Sequence, residues 1–325
     1  MKTAEFKETV KELEVARDKN GKPLTLHSLL IKDEEGTHLH HFRPKEQASD
    51  IRSISKSVLT LVLGRVIQLA EEGDYPLINE ETAVFPVIQQ QVQLRNKDNL
   101  EKLNKLKVKH LLTHTIGYDK VLMMRGDIAQ MDPFSYLDYL ANYPIVYEPG
   151  EHYLYSNAGF YLLSVFLEEF IQEDLTQFLR REFFEPLGIQ SFTWEKYGHY
   201  LAGATRLWLL PEDLLKIGEV FLNQGQVKGK RFISEDWLDR MLIPRVKTPK
   251  LDLSNEWFRR TAYGYGIWLA KKSFYFGHGT DGQRFIILPE AEQIIILLAE
   301  QVDTQPIDQA IDRLIKNKLN KGAKE

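Results

Sequence analysis

The chain has 325 residues, 27% of them charged and 11% aromatic, with a formal net charge of −4 and no cysteine. That length buries a large core, roughly two compact lobes at about 150 residues per domain, and the ordinary composition excludes a disordered chain. The acidic balance excludes a general nucleic-acid binder, and the absence of cysteine removes disulfides, thiolate catalysis and Cys-based metal centres.

The first twenty residues are polar and lack the apolar core of a secretory leader. A cytoplasmic enzyme is therefore expected, with export open if a leader was removed. Phe6 to Arg17 has helical spacing. The runs His27–Ile31 and Thr37–Phe42 flank Asp33-Glu34-Glu35-Gly36, which predicts a β-hairpin. Ser53 to Glu72 reads as a helix ending at Gly73-Asp74; its first turns are apolar nearly all round, so it is expected to be buried. Its strongest apolar run, Val58 to Ile67, contains Arg65 and falls short of the ~20 residues a membrane span needs.

From Asn79 to Tyr197 helical periodicity dominates, with predicted helices over Asn99–His114, Pro133–Asn142, Ala158–Gln172 and Leu175–Phe184. Helices are then expected over Pro211–Asn223 and Glu235–Met241, followed by a looser stretch from Lys247 to Arg260. Strand-like runs cover Gly264–Ala270, Ser273–Phe276, Arg284–Leu288 and Gln293–Ala299, and a charged amphipathic helix, Pro306–Leu319, follows them. Strands at both ends and helices between predict an α+β fold with one antiparallel sheet built from both termini and flanked by helices. Residues 1–52 with 200–325 are the expected sheet region, and residues 53–199 the inserted, mainly helical one.

Two segments carry candidate chemistry. In Ser53-Ile54-Ser55-Lys56, residues three apart share a helix face, so the amine can reach the hydroxyl. A serine is a poor nucleophile until a neighbour takes its proton, and a desolvated lysine gives up its charge more readily. A capping serine beside a surface lysine satisfies the same four residues. About a hundred residues on, Tyr155-Ser156-Asn157 lies at a turn into a helix. Tyr155 can relay protons and Asn157 can hold both substrate and lysine, or the turn can simply cap the helix.

Together these segments resemble the serine β-lactamase, penicillin-binding protein and esterase superfamily, including its nylon-oligomer hydrolase branch. Ser-x-x-Lys stands at Ser53 to Lys56 and Tyr-x-Asn at Tyr155 to Asn157; Val108 to Gly117, Glu185 to Gly188 and Asn223 to Lys230 match its landmarks. The resemblance implies a β-lactamase/transpeptidase-like fold, with Ser53, Lys56 and Tyr155 catalytic and Asn157 substrate-binding. It implies no cofactor and no metal, and a small ester, amide or D-amino-acid substrate.

The third family motif, Lys-Thr-Gly, has no lysine here. Its counterpart is Phe276-Gly277-His278-Gly279-Thr280-Asp281-Gly282-Gln283, with either His278 or Gly277 in the lysine position. In both registers Gly277, His278, Gly279 and Thr280 are expected at the substrate, with an N–H near Thr280 pairing with that of Ser53 as an oxyanion hole. Without the lysine, ester or amide cleavage is expected ahead of β-lactam turnover, and Arg284 and Arg206 are the cations available to compensate. A D-alanyl carboxypeptidase, D-amino-acid esterase or weak β-lactamase is the alternative, and a non-catalytic binding protein on the same scaffold a third reading. His38, His40 and His41 read as a solvent-facing hairpin, His114 as a satisfied structural histidine, and Asp119 to Asp132 as a lid or as core.

Overall fold

Arg284–Leu288 and Gln293–Ala299 are apolar on both faces, and such segments are stable only between two layers. The structure, a computed structural model describing residues 3–248, 260–270 and 274–322, builds those layers. Helix α1 is Thr3–Val15, strands β1 and β2 are Leu26–Asp33 and Gly36–His41, and α2 is Ser55–Glu72. Helices α3 and α4 are Ala158–Ile171 and Pro211–Leu222. Strands β3 to β8 are Val246–Lys247, Ala262–Tyr263, Trp268–Leu269, Tyr275–His278, Arg284–Leu288 and Gln293–Ala299, and α5 is Gln305–Gly322. The eight strands form one antiparallel sheet in the order β3-β4-β5-β6-β7-β8-β1-β2, so the hairpin near the N-terminus joins strands from the far end of the sequence. The arrangement is α+β, as expected of a β-lactamase/transpeptidase-like fold.

Period-two alternation divides the side chains between two cores. Leu29, Ile31, Ile286, Leu288, Ile295 and Leu297 pack outward with Phe6, Val10 and Leu13 of α1 and Ile307, Ile311 and Ile315 of α5. Leu30, Phe285, Ile287, Ile294 and Ile296 face the other way, into a larger core shared with α2, α3 and α4. By length and composition the helical stretch Arg52–Glu72 is apolar enough to cross a membrane, but 83% of its most apolar window is buried in the protein, where it forms the central core helix.

Two predicted elements are broken. The helix expected over Asn99–His114 splits into Leu100–Lys105 and Val108–Leu112. The chain between them pairs with residues 82–84 instead, through Val84 N–H to Leu106 O at 2.9 Å and Val108 N–H to Thr82 O at 3.0 Å. Of the run Gly264–Ala270 only Trp268–Leu269, β5, is strand; the residues before it form a turn leading from β4 into β5. Its Gly266 has φ +68°, and a Cβ there would stand 2.1 Å from Thr60 Oγ1 and 2.9 Å from Lys56 O. Only glycine lets this turn press onto α2. The looser stretch beginning at Lys247 lies mostly outside the described residues.

Candidate active site

Ser53 sits in a short 3-10 turn, Arg52–Ile54, that runs directly into α2. Lys56, one turn on, is wholly buried between the helix and the larger core. Its ammonium nitrogen lies 3.0 Å from Ser53 Oγ, 2.8 Å from Asn157 Oδ1 and 3.1 Å from the carbonyl oxygen of Ala204. No carboxylate accompanies it in these contacts. Burial without a counter-charge pushes its pKa down to about 7, so near neutrality much of the amine is free to accept a proton.

Asn157 is held on both sides. Its Oδ1 accepts from Lys56, while its Nδ2 donates to Met123 O at 3.0 Å. The Tyr155 hydroxyl faces Ser53, near enough to feel its hydroxyl. Burial raises the pKa of this phenol, and the Ser53 hydroxyl and the charge of Arg260 pull it part of the way back. Its ring stacks on Trp268 at 5.5 Å between centroids and lies 5.0 Å from Lys56 Nζ. Ser53, Lys56, Tyr155 and Asn157, a hundred residues apart in sequence, therefore meet at one point.

His114 packs 4.3 Å from the Tyr155 ring, centroid to centroid. Burial, and then the nearby Lys56 charge, hold its pKa well below the ordinary range, so it stays neutral. Its Nδ1 accepts only a long 3.5 Å contact from Ser156 N–H, and its Nε2 has no hydrogen-bond partner among the described residues. His114 is thus a neutral, buried ring that braces Tyr155, in keeping with a structural histidine, but its hydrogen bonding is not satisfied among the described residues.

The third segment runs beside the serine turn. A Cβ on Gly277 would meet Ile54 at 3.2 Å, and one on Gly279 would meet Arg52 at 2.9 Å, so the backbone from Gly277 to Gly279 passes Ser53 at close quarters. His278 turns to Arg260, with its Nδ1 2.9 Å from Arg260 Nη2. Thr280 and Asp281 line the cleft that opens over Ser53. Arg284 does not reach it: it is buried and paired with Asp308, Nε to Oδ1 2.7 Å. Arg206 does line it.

This cleft has a volume of about 510 Å³ and is bordered by Ser53, Asn157, Met123, Met124, Ile128 and Tyr136, with Arg52, Arg125 and Arg206. The segment from Asp119 to Asp132 is both core and wall: Leu122 and Met123 are buried, while Met124 and Arg125 face the cleft. Four of its lining residues, Arg52, Met123, Arg206 and Asp281, are non-glycine residues held at φ between +53° and +66°. Such strain persists where the surroundings over-determine it, and it gathers at functional sites. Asp50 supplies one restraint, accepting from Arg52 N–H at 2.8 Å and Arg206 N–H at 3.2 Å. The three histidines of the hairpin diverge, His40 toward Glu14 and His41 toward Glu212, both at 3.6 Å.

A model of the Beta-lactamase family matches residues 19–320. The chain belongs to the Beta-lactamase family. Membership supports an enzyme of the serine hydrolase type. Among solved structures it is similar to the octameric penicillin-binding protein homologue from Pyrococcus abyssi, with 18% identity, 98% of this chain and 78% of that one covered, and a TM-score of 0.74. It is also similar to a penicillin-binding protein from Bacillus halodurans, with 17% identity, coverage of 89% and 97%, and a TM-score of 0.67. Simvastatin synthase from Aspergillus terreus is similar at 17% identity, coverage of 95% and 96%, and a TM-score of 0.66. These likenesses establish the fold. No curated protein matches the sequence.

Sequence reasoning missed the acceptor at Ala204, the restraint by Asp50 and the contribution of Arg52 and Arg125. A backbone carbonyl leaves no trace in residue identity. Asp50-Ile51-Arg52, directly before the serine, was the one local signal on offer.

Proposed function

We propose that the protein hydrolyses a small ester or amide through an acyl-enzyme on Ser53. The neutral amine of Lys56 takes the hydroxyl proton as Ser53 Oγ bonds to the substrate carbonyl carbon; as the carbonyl re-forms and the bond to the leaving group breaks, Tyr155 donates its phenol proton to the departing alcohol or amine and is reprotonated by the Lys56 ammonium. Asn157 holds Lys56 in place and presents its amide to the substrate. In this reading the backbone N–H groups of Ser53 and of a residue near Thr280 stabilise the oxyanion, the kind of preorganised donor pair that lowers such barriers most. Water, activated by the same amine and phenol, then releases the acid and restores Ser53.

The observation that carries this reading is the 3.0 Å contact between Ser53 Oγ and a wholly buried lysine whose pKa falls to about 7. A surface lysine would stay charged and could not act as a base. Purified protein is expected to cleave 4-nitrophenyl acetate and to be labelled by a fluorophosphonate probe, and Ser53→Ala to do neither. Cleavage by Ser53→Ala at the wild-type rate would overturn the proposal.

A further inference from the structure

Three guanidinium groups border a cleft in a chain of net charge −4. They are not equivalent. Arg52 is matched to two carboxylates, Asp50 at 2.8 Å and Asp281 at 3.0 Å, and serves to hold the serine turn. Among the described residues Arg125 has only Asp281, at 3.6 Å, and must share it with Arg52; its side chain is 71% exposed. Arg206 has Glu195 at 3.8 Å and Asp50 at 4.0 Å, both beyond hydrogen-bond length, with the Tyr197 phenol nearby. A guanidinium has five donors, so among the described residues Arg125 and Arg206 leave most of theirs unused at the mouth of the cleft. The opposite character lines the same space, where Met123, Met124 and Ile128 form an apolar wall.

We infer that Arg125 and Arg206 form an anion subsite, and that the substrate is an ester or amide with an apolar body and a carboxylate within reach of the scissile bond. A planar carboxylate matches the guanidinium fork and can be bound bidentately, in a cleft whose walls exclude part of the solvent. Neither arginine touches the reacting atoms; both act on recognition, and Arg206 is held there by the Asp50 bond that fixes its strained backbone. This inference rests on the Ser53 hydrolase reading and narrows its substrate class.

The test compares isosteres that differ only in charge. The mono-4-nitrophenyl ester of adipic acid and the 4-nitrophenyl ester of adipamic acid place the charge on the acyl side; 3-acetoxybenzoate and 3-acetoxybenzamide place it on the leaving group. In at least one pair the anion is expected to show kcat/KM about tenfold above its neutral partner, and Arg125→Gln with Arg206→Gln to bring that ratio to about one, the loss falling on KM for the anion. Arg125→Glu, at an exposed position, should reverse the preference. Equal rates within both pairs, or a preference that survives the double variant, would overturn the subsite. Calorimetric binding of monomethyl adipate and methyl adipamate to Ser53→Ala reads the same preference without turnover. Tighter binding of the anion supports the subsite even if no ester is cleaved, and equal affinities refute it even if hydrolysis by Ser53 is sound.

Discussion

Replacing Lys56 with Met should make the protein inactive and, at low pH, more stable. The amine is wholly buried, and its pKa is pushed from 10.5 to about 7 by desolvation alone. At 1.36 kcal/mol per pH unit, the charged form pays a penalty of about 5 kcal/mol for being folded. Methionine fills much the same volume without that charge, but it leaves Asn157 Oδ1 and Ala204 O without their donor. Those losses amount to about 1 kcal/mol apiece, so the net gain below pH 7 is about 3 kcal/mol. The sign with pH follows from proton counting. Between pH 7 and 10.5 the unfolded chain keeps a proton on Lys56 that the folded chain has released, so wild-type stability rises through this window. Thermal and urea unfolding of both proteins at pH 6, 8 and 10 should show Lys56→Met the more stable at pH 6 and slightly the less stable at pH 10. A variant that is less stable at pH 6, or a difference that does not change with pH, would refute the reasoning.

The same titration should govern turnover: kcat/KM is expected to rise with pH through an apparent pKa near 7, because the neutral amine is the active form, and a flat profile from pH 5.5 to 9 would contradict this. Tyr155→Phe keeps the stack on Trp268 but loses the hydroxyl that faces Ser53, so kcat should fall by about 10²–10⁴ in a steady-state ester assay. Gly266→Ala forces a Cβ against Thr60 and Lys56 at a positive φ, and unfolding measurements should show a loss of more than about 3 kcal/mol.

The outer features of the fold were legible because they follow from short-range rules. The acidic turn at Asp33 to Gly36 and the apolar runs Arg284–Leu288 and Gln293–Ala299 carry their strand pattern in their own residues. The broken helix between Leu100 and Leu112 was not legible, since the bonds that interrupt it come from residues 82–84. The turn at Gly266 was hidden for the same reason: β-prone residues surround it, and only contact with α2 forces the reversal. In the site, the spacing of Ser53 and Lys56 announced their meeting because one helical turn spans both. The bond from Lys56 to Asn157 crosses a hundred residues; residue chemistry offered it as one of two readings of the Tyr155–Asn157 turn, and family resemblance favoured it. The cations at the cleft mouth were partly legible. Arg206 was a candidate, but Arg284, sought for the same role, is bound inside to Asp308.

Intact-protein mass spectrometry after rapid acid quench, on enzyme mixed with a 4-nitrophenyl ester, is the most direct check on whether the serine turn does covalent chemistry. A transient mass increase equal to the acyl group, mapped to the peptide containing Ser53 and absent from Ser53→Ala, is the expected result. Turnover with no adduct at Ser53 at any quench time, or an adduct on another residue, would contradict the account.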